Sequence, residues 1–318
     1  MNAVAAVKTA CGVRFFSSDP TNIGPHALHR IGSVTKTYVG SLILTLEKEG
    51  VLHLEDTVSK WVAGVPNGDA ITIRQLLRHQ SGLFDVTSDA EVWPVTTPRT
   101  WTPEELLAVA SRHPPDFSPG TKWEYSNTNY VVAGLVAEAA TGTPIVQLLH
   151  SRILGPLHLN ETFLASDEPL GDHRLARGFD GDTEVTNQGV TWAWAAGAIA
   201  ATPGDVVEWI DRLGSGAFLD QTEQARLLDT VPADPATVGA DDGLGVFKVV
   251  DPALGTFIFH TGGIDGYTTL AIHFVDKHVS IASMVDNFGE HVDANAIVNG
   301  LSAILFPATA SAAAGSKP

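Results

Sequence analysis

The chain has 318 residues, 44% of them hydrophobic and 17% charged, which is the composition of a folded globular protein with length for one large domain or two average ones. Against 19 basic residues stand 36 acidic ones, a formal charge of −17, so neither nucleic acid nor a membrane surface is an expected partner. No apolar run approaches the roughly 20 residues needed to cross a bilayer, the single Cys11 cannot form an internal disulfide, and Ala3 to Val7, interrupted by Lys8, is too short for a secretory leader, which makes a cytoplasmic location the expectation.

The first expected element is a hairpin, Ala3 to Val7 followed by Val13 to Ser17, both short and apolar-rich. A helix is expected from Ser33, because Val34, Tyr38, Leu42 and Leu46 recur every four residues and Gly50 stands where a left-handed cap belongs. Thr102-Pro103-Glu104-Glu105 sets a capping threonine, an N1 proline and an N3 glutamate in order. Thr143-Pro144 and Thr202-Pro203-Gly204-Asp205 repeat the device with weaker partners, and Asn127 to Ala140, closed by Gly142, forms another helix. Beyond residue 240 the texture becomes β-rich: Leu244 to Val250, Thr256 to His260, Tyr267 to Phe274 and Ser280 to Val285 suggest an antiparallel meander. Ala294 to Leu305 is a closing helix, and the Ala/Ser-rich stretch from Pro307 to Pro318 a disordered tail.

This order predicts an α/β (α+β) fold in which both ends of the chain share one antiparallel sheet, flanked by helices, with a mostly helical lobe inserted. The sheet-containing domain is assigned to 1–30 and 205–306, the helical lobe to 31–204 and the flexible tail to 307–318.

Several chemistries are set aside. No G-x-S-x-G elbow, H-E-x-x-H, C-x-x-C, P-loop or G-x-G-x-x-G occurs. His26 and His29 have no further ligand at metal spacing and read as a solvated loop before the first helix, so no metal is expected. Trp192 and Trp194 line a cleft or pack in the core, packing being the default for tryptophan.

Three segments carry possible chemistry. In Ser33-Val34-Thr35-Lys36 the lysine falls one helical turn from the serine, on the same face, where a deprotonated amine can take the hydroxyl proton. The same tetrad also fits a capping serine with a solvated lysine. In Tyr125-Ser126-Asn127 a phenol can shuttle a proton and an amide can hold both a substrate carbonyl and a lysine, although Asn127 could equally cap the next helix. His260-Thr261-Gly262-Gly263 closes a strand, either to let a substrate backbone lie along it or to make a tight turn.

Taken in order, S-x-x-K, Y-x-N and H-T-G resemble the serine β-lactamase and penicillin-binding-protein superfamily, in the branch that holds class C β-lactamases, D-Ala-D-Ala carboxypeptidases, D-aminopeptidases and related esterases. Ile31 to Lys36, Leu76 to Leu83, Pro119-Gly120, Trp123, Gly155-Pro156-Leu157 and Ala196 to Asp205 extend the likeness, which runs from Ile31 to Tyr267. The resemblance implies a β-lactamase/transpeptidase-like fold and a serine hydrolase working through an acyl-enzyme on an ester or amide. Ser33 would be the nucleophile, with Lys36 and Tyr125 sharing the proton transfers. Asn127, His260 and Thr261 would bind the substrate, and the N–H groups of Ser33 and Gly263 would form the oxyanion hole. No cofactor is implied, and the partner is a small molecule or peptide. Transacylation to an amine or alcohol, β-lactam hydrolysis and a non-catalytic acylatable binder are the alternatives. His260 stands where the family commonly has lysine, which argues against a β-lactamase; the intact motifs argue against a mere binder.

Overall fold

The structure, a computed structural model, describes residues 2–95, 99–170, 174–234, 239–288 and 294–306. Its core is an eight-stranded antiparallel sheet of β1 (Ala3–Thr9), β2 (Gly12–Ser17), β3 (Val231–Pro232), β4 (Asp241–Asp242), β5 (Phe247–Asp251), β6 (Gly255–Ile264), β7 (Tyr267–Phe274) and β8 (Val279–Val285), in the order β2-β1-β8-β7-β6-β5-β4-β3. The N-terminal strand β1 and the late strand β8 pair next to the β2 edge, where Ala3 lies opposite Val285 and Lys8 opposite Ser280. The period of two along β8 sorts its side chains. Val279, Ile281 and Val285 face Ile297, Leu301 and Leu305 of the closing helix Ala294–Leu305, while Ala282 and Met284 join the main core on the other face.

That other face carries the helices. Helix α1 (Thr35–Lys48) is buried from Thr35 to Leu44 without an exposed stripe, as a helix at the centre of a molecule must be. Gly50 follows in the left-handed region (φ +72°). Helix α2 (Pro103–Ala110) starts with the expected reciprocal cap: Thr102 Oγ1 accepts from Glu105 N at 3.2 Å, and Thr102 N donates to Glu105 Oε2 at 3.0 Å. Helix α3 (Thr128–Thr141) ends at a left-handed Gly142, and Trp194 occupies the space a Cβ on Gly134 would need, 2.7 Å away. Helix α4 (Pro203–Gly214), capped by Thr202, packs on β1, β7 and β8. Its Trp209 stacks on Tyr38 of α1 at 4.3 Å and donates to Thr37 Oγ1 at 2.7 Å, tying sheet to lobe. No single helix among the described residues is long and apolar enough to cross a membrane.

Some local expectations change. Thr143 does not cap the next helix: Pro144 is its cap position, and Glu138 Oε1 takes Ile145 N instead, at 2.7 Å. The strand expected from Leu244 begins at Phe247, because Gly243–Val246 turns back on itself and Leu244 O presses against Gly40 of α1. The strand expected to end at His260 continues to Ile264, so Gly262 and Gly263 are strand residues and the turn falls at Asp265-Gly266. His29 and Arg30 are no solvated loop. They form a buried short strand paired with Ile199–Ala201. The tail expected from Pro307 lies outside the described residues.

Candidate active site

Three backbones converge on Ser33. Gly32 (φ +51°) opens a 3-10 turn that runs directly into α1, and Ile31 N donates to Ile199 O at 2.9 Å. The turn lies flat on β6: a Cβ on Gly262 would stand 1.9 Å from Ile31 O, and one on Gly32 2.9 Å from Gly263 N. Gly262 is therefore required for the close approach of the strand and the Ser33 turn. Ser33 is not a cap; its side chain makes no capping bond.

Lys36 is not solvated. It is completely buried, and its Nζ lies 3.0 Å from Ser33 Oγ, 2.7 Å from Asn127 Oδ1 and 2.7 Å from Ala196 O. Burial lowers its pKa to about 7, against the opposing pull of Asp85 and Asp242. A neutral amine has two N–H donors and one lone pair. Asn127 and Ala196 accept the donors, leaving the lone pair for the Ser33 hydroxyl.

Asn127 does not cap α3. Its side chain accepts from Lys36, while Nδ2 donates to Thr87 Oγ1 at 3.0 Å and Asp85 Oδ2 at 3.3 Å. Asp85 also accepts from Asn127 N at 3.0 Å and so fixes the amide from both ends. Sequence reasoning did not single out Asp85. Its only local signal is the short cap it makes to Thr87 N.

Tyr125 brings its phenol to Ser33 and its ring within 4.9 Å of Lys36 Nζ. Burial raises its pKa well above the ordinary phenol value, so the hydroxyl stays protonated. His260 is 3% exposed, set behind the site against Phe247, with Nδ1 2.6 Å from Thr261 O. Burial, and then the charge of Lys36, lowers its pKa to about 3. Thr261 is exposed on the strand.

Ser33, Asn127 and Gly263 open on a cavity of about 140 Å³ whose other walls include Trp93, Trp192, Ile264 and Phe288. Trp192 thus lines the cleft, whereas Trp194 packs in the core. A dry cavity of about 150 Å³ accepts benzene, so this one has room for a phenyl or branched aliphatic group.

His29, His79 and His260 are all buried, and burial above all holds each below the ordinary histidine range, His29 at about 4. The unfolded chain binds these protons first. The stabilisation is complete above the unfolded value of about 6.5 and falls on acidification toward the folded value, by roughly 1.4 kcal/mol per pH unit per histidine. His29→Phe is expected to flatten the slope of stability against pH by about one proton between about pH 6 and 4.5, read from urea midpoints. An unchanged slope would contradict it.

The Beta-lactamase family model matches residues 7–301. Penicillin-binding protein 4* of Bacillus subtilis (strain 168) is 24% identical over 304 residues, covering 88% of this chain and 65% of that protein, so the chain spans just under two thirds of that relative. Among solved structures, a D-stereospecific amidohydrolase from Streptomyces sp. is 32% identical at a TM-score of 0.82, covering 90% of this chain and 89% of that one. A D-amino acid amidase from Ochrobactrum anthropi SV3, complexed with D-phenylalanine, is 26% identical at a TM-score of 0.87, with 96% and 94% covered.

Proposed function

The chain belongs to the beta-lactamase family, and from that premise we propose that it is a serine hydrolase acting through an acyl-enzyme on amides or esters of D-amino acids with apolar side chains. The observation that carries this reading is a buried Lys36 amine 3.0 Å from Ser33 Oγ at the mouth of an aromatic-walled cavity.

Lys36, neutral above its lowered pKa of about 7, takes the Ser33 proton as Oγ attacks the carbonyl carbon. The N–H groups of Ser33 and Gly263 receive the oxyanion. Tyr125, a phenol kept protonated, donates to the leaving nitrogen or oxygen and regains a proton from the Lys36 ammonium as the bond breaks. Water then attacks the acyl-enzyme with Lys36 again as base; the acid leaves and Ser33 recovers its proton. Asn127 holds Lys36 in place, its Nδ2 being engaged by Asp85 and Thr87. Thr261 offers a hydroxyl to the substrate. His260, uncharged at working pH, offers no charge to a substrate carboxylate.

The names of the two amidase structures support the D-amino-acid class, and the cavity walls support the apolar side chain. The test is paired kinetics on D-phenylalanine amide, its L-enantiomer, and a D-phenylalanyl peptide ending in a free carboxylate. The expected order places the D-amide first, with no gain from the carboxylate between about pH 5 and 8, because His260 does not titrate there. A carboxylate preference that His260→Ala abolishes would overturn the reading of His260, and exclusive L-amide turnover the substrate class.

A further inference from the structure

His79 stands where the short helix Ile73–Leu77 ends, one residue past its Arg78 cap, in the left-handed region at φ +52°. A non-glycine residue there is uncommon, and histidine is one of the types that tolerate it, as His158 and His278 also do. What surrounds it is the segment that carries Tyr125. Its carbonyl accepts from Glu124 N at 3.0 Å. Its ring stacks on Tyr125, with centroids 4.3 Å apart and planes inclined by 29°. Its Nδ1 accepts from Ser126 N at 3.1 Å and from Asn129 Nδ2 at 3.0 Å. The Asn129 amide is oriented by Ser81, whose hydroxyl donates to Oδ1. Two donors at Nδ1 leave the ring proton on Nε2 and the imidazole neutral.

Residues 124, 125 and 126 are thus each held by a different part of one residue that is 2% exposed. The Tyr125 ring is flanked by that imidazole and by Lys36 Nζ, 4.9 Å from its centroid.

We propose that His79 is a positioning residue for the reaction, setting the distance of the Tyr125 phenol from Ser33 by clamping residues 124–126 to the end of the Ile73–Leu77 helix. The proposal rests on the reading of Tyr125 as the proton carrier. His79 is not among the residues that line the cavity, and it reaches the site through the segment that carries Tyr125.

A double-mutant cycle tests it. His79→Asn keeps a side chain that tolerates the left-handed backbone but removes the stacked ring; His79→Gly keeps the backbone and removes every side-chain contact. Both are measured with and without Tyr125→Phe, on a phenylalanine ester or amide, with melting curves to show that each is folded. A displacement near 1 Å can cost on the order of 100-fold. The expected loss is therefore about 100-fold in kcat with KM moved less than about 3-fold, shrinking to less than about 3-fold once Tyr125 is phenylalanine. Equal fold-losses in both backgrounds, or a loss confined to KM, would overturn the role of His79. A Tyr125→Phe enzyme with undiminished kcat is a separate result: it would overturn the reading of Tyr125 on which the proposal stands.

Discussion

Ser33→Ala is expected to abolish acylation, with a loss in kcat of up to about 10⁶-fold, because Ser33 carries the hydroxyl set against Lys36 Nζ, whereas the Thr87 hydroxyl on the cavity wall is engaged by Asn127 Nδ2. The fold should be untouched. The Ser33 side chain caps no helix, and its bonding is confined to Lys36 and Tyr125 within the site. The measurement is intact-protein mass spectrometry after a brief exposure to an activated ester: one acyl group per chain on the parent protein, mapped to Ser33, and none on the variant. An acyl adduct on the variant, or undiminished turnover, would remove the nucleophile and with it the proposed mechanism.

Lys36 carries the second large effect. A base of pKa about 7 makes kcat/KM rise with pH and level off above neutrality, one proton being lost along the limb. The direction follows from burial: desolvation disfavours the ammonium, so the working neutral form accumulates some three units below the ordinary lysine value of about 10.4. Lys36→Arg keeps a cation that cannot act as a base, and should lose about 10²–10⁴-fold and the limb with it. Because Lys36 and Tyr125 pass the same proton, adding Tyr125→Phe should cost little more. A limb that stays near neutrality in Lys36→Arg would assign it to another group, and strictly multiplicative losses would give the two residues independent roles.

Local signals made much of this molecule readable. The spacing of Ser33 and Lys36 is a property of one helical turn, and the Thr102 cap and the left-handed Gly142 are written in adjacent residues. The β-rich run Tyr267–Phe274 kept its expected bounds. Contacts between distant segments left no such trace. Asp85 reaches Asn127 across 42 residues, and Trp93 of the cavity wall donates to Asp265, 172 residues away, at 3.1 Å. Gly262 and Gly263 left a strand and a turn equally open in the sequence, and what decides is a distant neighbour: the Ile31–Ser33 backbone pressed against Gly262 and the Phe288 ring against Gly263. A local signal misled at Thr143, where Glu138, seven residues before Ile145, had already taken the donor a cap would serve.

The pairing of β1 with β8, strands far apart in the chain, governs when the fold can close during synthesis. Asn2, bonded through its amide to Asp286 across 284 residues, immediately precedes β1, whose partner β8 is translated long after it. At roughly 5–20 residues per second, β1 waits many seconds beside the ribosome with its inner edge open. A nascent chain ending at Gly214 already holds Ser33, Lys36, Tyr125 and Asn127, yet it lacks the β6 backbone on which the Gly32 turn rests. Closing so long a loop is slow, since its entropy is lost before the pairing rewards it. The site is therefore completed only once β6 has been made, and until β8 follows the inner edge of the β1–β2 hairpin, which also exposes Phe15 and Phe16, stays open.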